Sequence, residues 1–149
     1  MRAINHTVTG AIIVAAIGNP VIALPAALLS HIVLDIIPHS GDDTMSHTSR
    51  RFKLELLVDA ALSGGFLLGL MLLRPPDWPL LIAGGILGAA LDFWWFPYWV
   101  IELKTHKEPR YDPVGRFLAW IQWSEKPWGY YLEAVWLICA LYLFFRLTA

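Results

Sequence analysis

The chain has 149 residues, 57% of them hydrophobic and 15% charged, with a formal net charge of −1 and a mean hydropathy of +0.54. That is too apolar for an ordinary water-soluble domain of this size, and basic residues scattered among acids give no electrostatic footing for nucleic acid. One integral membrane domain over residues 1–149 is expected, because short membrane segments can bury their polar groups only against one another.

Residues 8–37 are too many for one upright crossing of about 20, and Gly18-Asn19-Pro20 and Pro25 interrupt them. A helical hairpin is expected, with a helix over 4–17, a turn at Gly18-Asn19-Pro20 and a second helix over 21–37. One kinked span is the alternative. The first helix would be only about 21 Å long, short enough to be re-entrant. Arg2 ahead of residues 10–17 could pass for the start of a secretory signal. A cleavage near Ala23 would strip the following segment of its companion, so the stretch is expected to remain.

Ser30 to Ser40 reads SHIVLDIIPHS and sets His31, Asp35 and His39 in an otherwise apolar run. His31 and Asp35, four apart, share one helix face. Pro38 should close the helix and leave His39 on the turn beyond it. Two imidazoles and a carboxylate could thus converge on one cation.

Residues 40–51 are polar and read as a water-exposed loop. Residues 52–73 can cross a membrane and carry Asp59 in their interior. Arg74-Pro75-Pro76-Asp77 is a tight turn. Residues 78–101 should cross back, with Gly84, Gly85 and Gly88 forming a face for close helix contact, Asp92 one turn later and Trp94, Trp95, Tyr98 and Trp99 as an interfacial belt. Within the charged stretch 102–126, Asp112-Pro113 predicts a cap and first turn of a short amphipathic helix presenting Phe117, Trp120 and Ile121 to the membrane surface. Residues 128–147 form the last span, with Glu133 near its start. His47 and His106 read as solvated loop residues, and lone Cys139 as a packing or lipid-facing one.

The fold class is therefore all-α: a polytopic transmembrane bundle of an N-terminal hairpin, three spans and an interfacial helix. Segment 39–53 carries Arg50, Arg51 and Lys53, and segment 102–126 carries Lys104, Lys107, Arg110, Arg116 and Lys126. The positive-inside rule places both on the cytoplasmic side of a bacterial-type inner membrane. Counted from that side at about 1.5 Å per residue, His31, Asp35, Asp59, Asp92 and Glu133 fall within about 10 Å of depth, with His6 on the same side. Buried carboxylates so close together repel. No Lys or Arg lies inside the spans, so protonation or a shared cation is the expected remedy. Taken singly, Asp59 or Asp92 could equally be a hydrogen-bonding packing residue, His39 a hydrated interfacial one, and Glu133 a snorkelling one.

The string SHIVLDIIPH, the early His6 before a small-residue helix, and the lone acids Asp59 and Asp92 (in GAALDF) resemble the bacterial membrane-bound metal-dependent hydrolase family, itself distantly related to zinc-dependent phospholipase C. The resemblance covers most of the chain, and HxxxDxxPH is its specific part. It implies a helical bundle with a zinc-type site whose ligands are His6, His31, Asp35, Asp59 and Asp92. Where the family pattern has a further histidine before the segment matching FLAWIQW, this chain has Leu118 and Ala119.

The chemistry expected is metal-dependent hydrolysis of a phosphoester, such as a lipid headgroup, at the cytoplasmic membrane surface. Imidazole and carboxylate ligands suit Zn²⁺, with Mn²⁺ or Fe²⁺ possible, and such an ion lowers the pKa of a bound water. His31, Asp35 and Asp92 would be ligands, with His39 added from the helix exit. Asp59 would bridge metals or orient a histidine, and Glu133 would act as general acid/base or outer carboxylate. The rival is a non-enzymatic small transporter or a metal-stabilised scaffold. A transporter needs polar groups in both membrane halves, and the far half offers little beyond Asn19.

Overall fold

The computed structural model describes residues 1–41, 47–107 and 109–149. The loop expected over 40–51 therefore lies partly outside the described residues. Among those described, seven α-helices follow in order: α1 (Ala3–Ile17), α2 (Pro20–Ile36), α3 (Arg50–Leu73), α4 (Trp78–Gly88), α5 (Phe96–Thr105), α6 (Pro113–Ile121) and α7 (Tyr130–Thr148). Short 3-10 turns occupy Ala90–Trp95 and Gln122–Ser124. A two-residue strand β1 (His39–Ser40) pairs in parallel with β2 (Glu125–Lys126).

The hairpin is present, and its turn follows from local chemistry. Gly18 takes a positive φ of 69°, open to glycine without a Cβ clash. The Asn19 side chain accepts a hydrogen bond from the Val21 N–H at 3.0 Å, and Pro20 opens α2 where no N–H is needed. Pro25 does not interrupt α2, which runs through it to Ile36.

Helix α1 is the hub, packed against α2, α3, α4 and α7. Its closest neighbour is α4, and the expected small-residue face is the reason. A Cβ on Gly10 would run into the Gly84 carbonyl, and one on Gly88 into the His6 carbonyl. Removing those carbons lets two backbones approach within reach of van der Waals contact, the usual substitute for hydrophobic drive between helices in lipid. Beside this seam, Ala11, Val14, Ala23, Leu70, Leu81 and Phe144 form a buried cluster.

The span expected over 78–101 is broken. The α-helix stops at Gly88, Ala90–Trp95 tightens to a 3-10 turn with Asp92 N–H bonded to the Ala89 carbonyl, and α5 restarts with Pro97 in its first turn. Pro97 has no N–H to continue the ladder, so a first-turn position is where it fits. The two halves bend by 44°. Among the described residues, α3 and α7 are long and apolar enough to cross a membrane, and the bent α4–α5 pair would make a third span. Both α3 and α7 leave most of their apolar surface uncovered.

Helix α6 begins as its sequence predicts. The Asp112 carboxylate accepts the Gly115 N–H at 2.7 Å, which holds its pKa below the usual range. Its faces differ from expectation in one residue: Phe117 and Trp120 are exposed, but Ile121 is buried with Leu118 against the bundle. The helix turns the 115, 118, 121 edge inward, as a period near 3.6 dictates once Gly115 packs close to Tyr98.

The seam between α1 and α4 should make Gly10→Ala costly despite alanine's better helix propensity, by about 1–3 kcal/mol. A lowered thermal midpoint in detergent would show it. Gly69→Ala on α3, where a Cβ meets nothing within 4 Å, should leave the midpoint unchanged or raise it.

Candidate metal centre

The first turn of a helix leaves its N–H groups without intrahelical partners, and at α1 that turn lies inside the bundle. Carboxylates from elsewhere answer them. Asp59 of α3 accepts the Ala3 N–H at 2.7 Å and the Ile4 N–H at 2.9 Å, one on each oxygen. Glu133 of α7 accepts the Arg2 N–H at 3.1 Å, and also the Ser40 N–H at 3.2 Å and hydroxyl at 2.9 Å. The Arg2 guanidinium adds ion pairs to Glu133 (3.4 Å) and Glu55 (3.3 Å). The positive end of the helix dipole favours this gathering of acids, so a helix terminus stands beside protonation and a shared cation as a third remedy for the layer.

One turn into α1, His6 faces α2. Its ring stacks on His31, centroids 3.8 Å apart and planes 12° from parallel. His6 Nε2 lies 3.1 Å from Asp35 Oδ1, and His31 Nε2 lies 3.2 Å from Asp35 Oδ2. His6 Nδ1 has no hydrogen-bond partner among the described residues, and the carboxylate of Asp35 is what Nε2 faces. All three side chains are almost fully buried. The Met1 amine also lies 2.6 Å from Asp35 Oδ1.

His31 Nδ1 lies 2.7 Å from the Gly88 carbonyl, one of the acceptors left open where α4 ends. A carbonyl only accepts, so Nδ1 carries a proton; Nε2, facing Asp35, donates to the carboxylate when protonated and offers its lone pair to a cation when not. The carbonyl is the usual outer support of a metal-binding histidine. His6, His31 and Asp35 can hold a metal ion: one donor atom from each lies within 4.8 Å of the others. The His–Asp separations match the edge of about 3.3 Å between ligands of a tetrahedral ion at zinc-type bond lengths.

Asp92 reaches the same place from the 3-10 turn. Its Oδ1 is 3.6 Å from His31 Nε2, its Oδ2 is buried without a partner among the described residues, and its side chain is 31% exposed where the other three are closed. His39 stands apart. The chain leaves α2 at Ile36 and enters β1, so His39 faces Glu125 of β2 at 3.7 Å and is not among the donors that meet at Asp35.

Of the residues singled out from sequence, His6, His31 and Asp35 come together with Asp92 beside them, Asp59 and Glu133 hold the start of α1, and His39 lies on the β1–β2 bridge. His47 is exposed and pairs with Glu102 at 3.2 Å. Sequence reasoning missed the Gly88 carbonyl, Arg2, Ser40, Ser124 and Glu125. The glycines of α4, read from sequence as a close-contact face, are the nearest signal to that carbonyl.

No protein-family model, curated protein or solved structure matches the chain.

The capping role of Asp59 separates it from the metal-type donors. Asp59→Ala strands the Ala3 and Ile4 N–H groups and should cost about 1–3 kcal/mol. The loss should be the same with and without a chelator in thermal melts, whereas a ligand's loss would vanish once the chelator is present.

Proposed function

We propose that the chain is a membrane-embedded, zinc-type metal-dependent hydrolase acting on a phosphoester, such as a phospholipid headgroup, at the cytoplasmic face of an inner membrane. The observation that carries it is the convergence of the buried donors of His6, His31 and Asp35. Three protein donors beside a half-open position is the arrangement of catalytic zinc sites, and Mn²⁺ or Fe²⁺ suits the same donor types. A bound ion supplies a water of near-neutral pKa and polarises a phosphoryl oxygen. The residues do the rest. Gly88 orients His31, Asp35 faces both imidazoles, and Asp92, its side chain partly exposed, turns its unpartnered Oδ2 inward, where it would take a proton from a water held at the centre. Asp59 and Glu133 serve by holding the start of α1, and with it His6, in place. The resemblance of SHIVLDIIPH to the membrane hydrolases supports the same chemistry, and the basic residues of 39–53 and 102–126 support the orientation.

A metal-stabilised scaffold is the second reading, favoured by the near-complete burial of the three donors and by Asp92's position, from which it could close the coordination sphere.

Purified wild type should carry at least one equivalent of transition metal by elemental analysis, and His6→Ala or His31→Ala should lower the content by about one equivalent. Metal-free wild type overturns both readings. Asp92→Asn separates them. As a proton acceptor, its loss should leave metal bound and cut hydrolysis of bis(p-nitrophenyl) phosphate or of phospholipid vesicles by roughly 10²–10⁴-fold. As a fourth ligand, its loss should weaken metal binding at least tenfold.

Orientation is tested separately. A reporter inserted after Gly41 should read cytoplasmic and one fused after Ala149 extracytoplasmic. The reverse pattern would move the site to the other face.

A further inference from the structure

We propose that His39 and Glu125 form a second, outer cation site, distinct from the His6-His31-Asp35 centre and suited to a zinc-type ion. It does not depend on the inner centre being a hydrolase or on that centre binding metal.

His39 is only 1% exposed, and its Nε2 is buried without a hydrogen-bond partner among the described residues. Leaving such a nitrogen unpaired costs free energy, so something is expected to meet it. Its other nitrogen is held: Nδ1 lies 2.8 Å from the Ile37 carbonyl, which fixes the proton on Nδ1 and aims the Nε2 lone pair outward. What it faces is Glu125 Oε1 at 3.7 Å, beyond hydrogen-bond range. Two ligands at zinc-type bond lengths span that distance when they hold an ion at an angle of about 120°.

The surrounding backbone builds this gap deliberately. His39 and Glu125 are register partners in the parallel β1–β2 bridge, so their side chains leave the ladder together. A Cβ on Gly41 would run into the Glu125 carboxylate, so the glycine makes room for it. Ser124 Oγ lies 3.0 Å from the Asp35 carbonyl and 3.1 Å from the Ile37 carbonyl, tying β2 to the exit of α2. Glu125 is 24% exposed, so the site opens to water on that side. With two protein ligands, the ion would keep coordination positions for water or for an incoming oxyanion.

The test is a Zn²⁺ titration of the full chain in detergent after chelator stripping, by equilibrium dialysis with elemental analysis. Wild type should bind two zinc ions per chain. Glu125→Gln and His39→Ala should each bind one, and His31→Ala should keep the one at His39. Glu125→Gln alters a partly exposed side chain and spares the backbone bridge, so its lost ion does not reflect unfolding, which circular dichroism checks. His47→Ala at the exposed His47–Glu102 pair should leave the count at two. The same stoichiometry in wild type and Glu125→Gln overturns the outer site, leaving an imidazole–carboxylate pair only. One ion that is lost in His31→Ala and kept in Glu125→Gln overturns it while the inner centre stands. One ion lost in Glu125→Gln and kept in His31→Ala supports the outer site and removes the inner.

Discussion

The buried amino end of α1 is the constraint on which the rest of the molecule depends. Backbone N–H groups away from water must find acceptors, and here they find side chains from α3 and α7. Asp59 and Glu133 thereby join the two most lipid-like helices to the hub. Glu133 goes further and binds Ser40, so one carboxylate links the start of α1, the start of α7 and the strand that follows α2. A metal-type cluster on α1 and α2 can be precise only because this joint fixes where α1 begins.

The second determinant is the end of α4. Glycines at 10, 84 and 88 bring α1 and α4 into backbone contact, and that proximity delivers the Gly88 carbonyl to His31. Ending the α-helix there leaves the carbonyl free, and the 3-10 turn that follows swings Asp92 toward the same imidazole. A continuous helix over 78–101 would have spent that carbonyl on its own ladder and turned Asp92 along a different face. The break that shortens the span thus prepares both the support and the open side of the site.

Chemically, the polar groups divide by what they can accept. Those facing the start of α1 are already met by N–H donors and, at Glu133, by the Arg2 guanidinium. Those on the α1–α2 seam are acceptors facing acceptors: two imidazole nitrogens and a carboxylate with few protein donors among them. The Met1 amine meets one oxygen of Asp35, and a proton or a cation between the carboxylate and the two imidazoles would meet the rest, which is why the proposed chemistry rests on His6, His31 and Asp35 and not on every acid in the layer.

Much of this was legible locally. The Gly18-Asn19-Pro20 turn, the Asp112-Pro113 cap, the four-residue spacing of His31 and Asp35 and the small face of α4 each depend on neighbours within a turn or two, where backbone sterics and helix period suffice. Depth counting also brought the acids into one layer. It could not say what each would bind, because Asp59 and Ala3 are 56 residues apart and Glu133 and Arg2 are 131 apart. Nor could it take His39 out of the cluster, since that follows from a two-residue bridge to Glu125, or shorten the third span, whose Pro97 also tolerates a kink. The sequence by itself determined which stretches are helical and which of them carry polar groups, though not the break after Gly88. Only the tertiary structure decided which of those groups meet an N–H and which meet one another, because partner choice is set by packing between segments distant in the chain.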